Sequence, residues 1–294
     1  MTILATAGWE DYELIDTGDG YRLERFGKYT VARPDPQIIW HQHLSKSEWL
    51  KADAIFAKDP TNTSAQAKEK WQNRNHVPDK WLMKYKNLSF YAELSPFKHT
   101  GVFPEQHLQW DFIEEKIKQE KRQLTILNLF AYTGIASLVA AEAGAKVTHV
   151  DASRPTIGWA RENQTASKLT DKPIRWILDD AVKFVEREIK RGIRYDGIIM
   201  DPPVYGHGPN GEKWHFATSF PYLLSLCQKV LSEKPVFVLV NAYAISASSL
   251  MLENTLQDFA KNLGGTIEVG ELVLEEKQNK RLLSTGIFGR WSQK

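Results

Sequence analysis

Residues 124–151, LTILNLFAYTGIASLVAAEAGAKVTHVD, constrain the fold of this chain more than any other stretch. A short apolar run, Leu124 to Phe130, stops at Ala131-Tyr132-Thr133-Gly134. An alanine-rich run of helical character follows, and a second apolar run ends on Asp151. A strand buried on both faces reads as a continuous apolar run, and the turn after it must let the backbone approach a ligand closely. Gly134 supplies the missing Cβ. The helix opening near Ile135 points free N–H groups at that turn, and an acid at the end of the next strand can accept from ribose hydroxyls. The spacing predicts a β-loop-α-β-acid unit with a nucleoside-binding crevice.

Dinucleotide enzymes also place an acid about 20 residues beyond their glycines. Their fingerprint, G-x-G-x-x-G, lets a pyrophosphate sit on the helix N-terminus, whereas only Gly134 occurs between Phe130 and Ala143 here. A ligand with no phosphate, such as S-adenosylmethionine, asks less of the loop. It needs room and a few polar contacts.

A second anchor is Tyr195 to Gly206, YDGIIMDPPVYG. A predicted strand, Gly197 to Met200, runs into Asp201-Pro202-Pro203, where two prolines fix φ and remove two N–H donors. The carbonyls of such a turn are open to other donors. An acid, rigid carbonyls and the aromatic Tyr205 together suit a planar, amino-bearing ring: Asp201 and the carbonyls of Pro202 or Pro203 accept its N–H groups while Tyr205 lies against its face.

NLFAYTG, VDAS, DDAVKF and DPPVYG, taken as a set, resemble the class I S-adenosylmethionine-dependent methyltransferases. The likeness is greatest to the bacterial 23S ribosomal RNA base methyltransferase branch, whose motifs read N-L-F-x-Y-T-G and D-P-P. It covers roughly residues 98 to 294, with Thr100 to Gln106, TGVFPEQ, resembling the segment that precedes the fold. The resemblance implies S-adenosyl-L-methionine as cofactor and a Rossmann-like α/β sheet with a terminal antiparallel hairpin, preceded by a small β-rich N-terminal domain. It implies cofactor contacts from Asn128, Phe130, Ala131, Tyr132, Thr133 and Gly134, from Asp151, Ala152 and Ser153, and from Asp179, Asp180 and Ala181. Within the last group the second acid is expected to meet the adenine amino group and the next backbone N–H the ring nitrogen; one of Asp179 and Asp180 also suits the N-cap of the helix that follows. Phe103 and Gln106 are expected at the methionine part, although Glu105-Gln106 also reads as the first turn of a helix.

With 294 residues there is room for one large domain plus a smaller one. The expected divisions are a β-rich module over 1–56, a basic linker and β subdomain over 57–106, and the methyltransferase domain over 107–294. No apolar run approaches the roughly 18–20 residues of a membrane span. The first twenty residues carry Glu10, Asp11, Glu13, Asp16 and Asp19 without a basic start, so no secretory leader is expected. A lone cysteine, Cys227, excludes an internal disulfide and a thiolate zinc site, and a cytoplasmic protein fits. Net charge is +2, so any RNA site must be a local patch. The oligomeric state, monomer or homodimer, is open.

The N-terminal module reads as strands at Tyr12 to Ile15, Tyr21 to Phe26, Tyr29 to Ala32 and Gln37 to Trp40. His41 and His43 alternate, yet no acid or cysteine stands at ligand spacing, and no metal site is expected. From Lys58 to Lys86 seven cations outnumber Asp59, Glu69 and Asp79, with Trp71, Trp81 and Tyr85 interleaved. Cations for phosphates plus flat rings for unstacked bases suit a single-stranded or looped RNA, although such runs also occur as solvated faces over a core. Pro60 to Ala67 reads as a loop. After DPPVYG comes a glycine-rich segment, His207 to His215, predicted as a substrate lid with His207, Glu212 and Trp214 facing the target base.

The sulfonium of S-adenosylmethionine is an activated methyl donor, so the protein's task is alignment. For a base nitrogen no covalent intermediate is required. Cytosine C5 is a poor nucleophile until a cysteine adds to C6, and neither the DPP turn nor Asn241 to Ser249, where related C5 enzymes carry one, holds a cysteine. Methylation of a base nitrogen of ribosomal RNA is the expectation. Two alternatives stay open: transfer to DNA, protein or a small molecule, and a non-catalytic module that holds RNA.

Overall fold

The structure, a computed structural model, describes residues 1–58, 68–243, 245 and 247–293. The loop expected at Pro60 to Ala67 lies outside the described residues. Two compact units are present. One comprises Met1–Leu4, Glu105–Val273 and Ser284–Lys294, the other Ala5–Pro104 and Leu274–Leu283.

After β1 (Thr2–Thr6), the smaller unit holds β2 (Tyr12–Gly18), β3 (Tyr21–Phe26), β4 (Tyr29–Pro34), a one-turn helix α1 (Lys46–Trp49), β5 (Ala54–Lys58), β6 (Glu69–Asn73), β7 (Lys80–Tyr85) and β8 (Leu88–Glu93). Strands β2 to β6 form one sheet in sequence order, and β7 and β8 a separate hairpin. Gln37 to Trp40, expected as a strand, is irregular. His41 Nδ1 meets Asp19 Oδ1 at 2.9 Å, and His43 Nε2 meets Arg281 Nη2 at 2.6 Å. A buried carboxylate, Glu24, sits under Arg33 with bonds of 2.5 and 2.9 Å. Burial pushes that carboxyl up, but Arg22 and Arg33 more than offset it, and the net direction is down.

The basic stretch shows how strand period separates charge from ring. Along β7 the burial alternates, so Lys80, Leu82 and Lys84 face outward while Trp81, Met83 and Tyr85 are buried. Trp71 packs edge-on against Phe56 at 5.3 Å. The cations stand outward as expected, but Trp81 and Tyr85 are core residues rather than stacking platforms.

The larger unit continues with α2 (His107–Gln119), β9 (Thr125–Leu129), α3 (Ile135–Glu142), β10 (Lys146–Asp151), α4 (Arg154–Ala166), β11 (Ile174–Leu178), α5 (Ala181–Lys190) and β12 (Gly197–Met200). Then come β13 (Tyr205–His207), β14 (Lys213–His215), α6 (Phe216–Lys229), β15 (Phe237–Ala242), α7 (Ser249–Ala260), β16 (Thr266–Glu275) and β17 (Leu282–Ser292). Its sheet has eight strands in the order β1-β16-β17-β15-β12-β9-β10-β11. Strands β11, β10, β9, β12 and β15 run parallel, and β17 joins antiparallel to β15. This is the mixed α/β sheet expected, with the terminal hairpin in place. Its edge strand β1 was not foreseen: strand propensity at residues 2–6 says nothing about which sheet they join.

Parallel neighbours need a crossover, and the helices between them cover the sheet's faces, which is why β9 and β12 are apolar almost throughout. Leu127, Leu129, Ile198, Met200, Val238 and Val240 are fully buried in one core. Gly197 is buried on the opposite face of β12. A Cβ there would come within 2.7 Å of Ile126 Cδ1 and 2.8 Å of the Phe237 ring. Gly197→Ala is therefore expected to cost about 1–3 kcal/mol by overpacking, read as a lower urea midpoint at unchanged slope.

Candidate active site

Strand β9 is flanked by β10 and β12, and all three end at the same edge of the sheet. Leu129 is in register with Met200, so the turn after β9 and the corner after β12 leave the sheet side by side. The Asp201 N–H donates to Leu129 O at 3.3 Å across that junction.

The turn after β9 is held in an unusual path. Phe130, Tyr132 and Gly134 all have positive φ, at 55°, 50° and 85°, so the backbone alternates in and out of the left-handed region. Ala131 N–H donates to Val150 O, and Gly134 N–H to Ala131 O. Asn163 of α4 donates to Thr133 O at 2.9 Å. Behind the turn a buried polar chain runs from Asn128 Nδ2 to Ser137 Oγ at 2.9 Å and on to His149 Nδ1 at 3.0 Å. Burial holds His149 neutral, its pKa lowered to about 3.

Gly134 has a packing role beside the one its position in the motif suggests. A Cβ on it would lie 2.9 Å from Ala160 Cβ, inside the packing of α3 on α4. Glycine is needed for the left-handed φ and for close helix packing.

Asp151 organises the next loop. Its Oδ2 accepts from Tyr132 N–H at 2.9 Å and its Oδ1 from Ser153 N–H at 2.8 Å. Burial raises its pKa, against the pull of backbone bonds from Ser153, Tyr132 and Ala152. Ser153 caps α4, and Pro155 fits the first turn, where its missing N–H is not needed. At the end of β11, Asp180 is the helix cap: its Oδ1 accepts from Lys183 N–H at 2.9 Å. Asp179 accepts from the Asp180 N–H and pairs with Arg187. The capping role thus falls to the acid favoured for adenine.

The corner after β12 is the most perturbed place in the site. Asp201 Oδ2 accepts from Gln106 Nε2 at 2.6 Å, and the same amide reaches Tyr243 OH at 3.0 Å. Asp201 Oδ1 is buried and has no hydrogen-bond partner among the described residues. Burial raises the Asp201 pKa to about 7; Gln106 opposes this and Glu105 adds to it. A buried acceptor left unmatched at a strand end is where a ligand donor would fit.

The lid segment folds as a small hairpin, β13 on β14, instead of a loop. Trp214 faces inward: it is 6% exposed, its ring meets Phe130 at 4.8 Å, and its Nε1 donates to Pro203 O at 2.7 Å. That carbonyl is therefore taken by the hairpin, and of the two proline carbonyls the Pro202 oxygen is the one proposed for an acceptor. Glu212 is tied down too, by Lys183 Nζ at 2.6 Å and Asn210 N–H at 2.9 Å, and the Lys183 bond chiefly holds its carboxyl down to about 2. Both were expected to face a base. Both instead fasten the hairpin, because an indole N–H and a carboxylate each found a partner within the fold. Tyr205 and His207 are exposed, and Tyr205 stands edge-on to His215 at 4.7 Å.

Gln106 reaches the site from the 3-10 turn before α2. Phe103 belongs to the other unit, where its ring meets His99 at 5.3 Å. Tyr243 was not singled out from sequence. The signal was its place just past β15, at the same sheet edge as Asp201. Cys227 is fully buried in α6, its Sγ 4.0 Å from Met200 Sδ, and burial pushes its thiol pKa up.

No family model matches the chain. A curated relative, "Ribosomal RNA large subunit methyltransferase K/L" of Shewanella oneidensis, is 32% identical over 222 residues, which is 73% of this chain and 30% of that protein. The same protein of Shewanella sp. strain MR-4 is 26% identical over 223 residues, 73% of this chain and 31% of that protein. The chain thus spans about a third of the length of these relatives. Among solved structures, a SAM-dependent methyltransferase of Streptococcus mutans has a TM-score of 0.72 at 16% identity over 97% of this chain and 76% of that one, a likeness of fold alone. The SAM-dependent methyltransferase of Agrobacterium tumefaciens has a TM-score of 0.94 at 40% identity, covering all of this chain (100%) and 94% of that one. At that identity and coverage, with the matching sheet, the chain belongs to the S-adenosylmethionine-dependent methyltransferases.

Proposed function

We propose that this enzyme methylates a base nitrogen of ribosomal RNA, in the cytoplasm. The observation that carries the reading is the junction of the two corners, with Asp201 N–H on Leu129 O at 3.3 Å: a nucleoside-type turn and a proline-stiffened acidic corner share one sheet edge. The relatives named for ribosomal RNA large subunit methylation supply the substrate class.

The residues present fit the cofactor. The turn carries no cation for a pyrophosphate, while Asp151 and Asp180 present carboxylate oxygens for ribose hydroxyls and an adenine amino group. Ala131 to Gly134 with Asn128 behind them, Ala152, Ser153 and Ala181 complete its walls, and Gln106 closes over the corner. When bound, S-adenosylmethionine supplies an electrophilic methyl group. Asp201 and the Pro202 carbonyl orient the acceptor by accepting its N–H groups, and Tyr205 with His207 offers the flat ring a face. Cys227 cannot add to a pyrimidine from within the core, which favours nitrogen over C5. The exposed lysines of β7 supply charge for phosphates.

Mass mapping of ribosomal RNA from a strain lacking the protein tests the reading directly. One base methyl group is expected to vanish; an unchanged map, with labelled methyl entering DNA or protein pools instead, would falsify it. Cys227→Ala is expected to keep methyl transfer within about threefold while losing roughly 1–2 kcal/mol of stability from the vacated volume. Complete loss of activity in a folded variant would restore a covalent route.

Asp201 yields a sign as well as a magnitude. Its folded pKa, about 7, lies above the unfolded value of 3.8, so the native state binds the extra proton between those limits, and stability falls as pH rises through them. Asp201→Asn is expected to be more stable than the parent at pH 8 and to match it near pH 4. Methyl transfer should fall at least about a hundredfold in the same variant, with cofactor affinity retained.

A further inference from the structure

A second polar chain ends beside Asp201 and begins at Arg290 on β17. Arg290 is 8% exposed. Its Nε donates to Gln109 Oε1 at 2.6 Å, its Nη2 to Leu108 O at 3.1 Å, and its Nη1 pairs with Glu268 at 3.4 Å. The guanidinium lies over Phe112 at 4.4 Å and Phe288 at 5.0 Å. Gln109, 1% exposed, donates from Nε2 to Asn241 Oδ1 at 2.9 Å.

Chemistry alone orders this chain. An arginine only donates, so the Gln109 atom facing it must be oxygen; its nitrogen then faces Asn241, whose facing atom must be oxygen in turn. One buried cation sets the direction of two buried amides. Two further contacts, to Leu108 O and the Phe112 ring, also fall on α2, so the guanidinium grips the helix at three neighbouring residues. Gln106 stands one turn before Gln109, on the same face. Met200 is in register with Val240, so Asp201 and Asn241 are the next residues on adjacent strands. The face that presents Gln109 to Asn241 therefore presents Gln106 to Asp201.

We propose that Arg290 is a positioning residue for methyl transfer: through Gln109 and the start of α2 it keeps the Gln106 amide on the Asp201 carboxyl. The inference rests on Asp201 being the group that orients the acceptor. Asp201 is faced by Gln106 and Glu105 from the α2 side and by Tyr243 from the end of β15. Arg290 is not among the groups that act on that carboxyl directly. Its influence must pass through the helix.

A ¹³C-carboxyl NMR titration of the full chain tests this, with the Asp201 resonance assigned by its loss in Asp201→Asn. Gln106→Ala removes a donor that favours the ionised form, and should move the Asp201 titration upward by roughly half a pH unit or more. Arg290→Met is expected to move it the same way, and the double variant no further than Gln106→Ala alone. A folded Arg290→Met that titrates as the parent does, or a double variant showing the sum of both shifts, overturns the proposal. Should Arg290→Met fail to fold, Arg290→Lys keeps the charge but not the fork, and is expected to shift Asp201 upward only while Gln106 is present. An unshifted Arg290→Lys then assigns Arg290 to stability alone and overturns it too. The titration uses no substrate, so it can fail while methyl transfer stands, and methyl transfer to another acceptor leaves the titration unaffected.

Discussion

The site depends on two parallel strands sharing hydrogen bonds. Because β9 and β12 pair in register and run the same way, whatever follows each of them must leave at the same edge of the sheet, separated by one strand spacing of about 4.8 Å. A cofactor turn and an acceptor corner cannot then be far apart. The apolar strands and their covering helices form a rigid base, and the chemistry sits on the segments that leave it.

That base supports groups that would be unfavourable elsewhere. Two non-glycine residues of the turn, Phe130 and Tyr132, hold positive φ, and each such residue costs on the order of 1 kcal/mol. They persist because Asp151, Val150 and Asn163 bind the turn from three sides. Asp201 is held in a place where its charge is disfavoured, with one oxygen unmatched among the described residues. Strain and unmatched polarity of this kind concentrate at functional sites, where a ligand completes what the fold leaves undone. The hairpin after the corner is fastened in the same manner, by Trp214 at one end and the Lys183–Glu212 pair at the other.

Much of this was legible in the sequence because it is local. The apolar run before Ala131, the acid ending the next run, and the double proline after Met200 each carry their meaning within a few residues, and the strands and helices around them follow from periodicity. The glycine at 134 was legible as necessary, but its packing role was not. Its missing Cβ makes room for Ala160, which is 26 residues away and packed there only after α3 and α4 fold.

The amino-acid sequence by itself determined the parallel strands of the sheet, the acidic ends and the class of ligand, since alternation, buried runs and turn chemistry are properties of neighbouring residues. Only the tertiary structure decided which side chains remain for chemistry. Trp214, Glu212, Trp81 and Tyr85 looked available in a linear reading, yet each found a partner inside the fold, while Gln106 and Tyr243, 137 residues apart, met beside Asp201. Burial and hydrogen-bond pairing depend on what the whole chain brings together, and no short stretch contains that information.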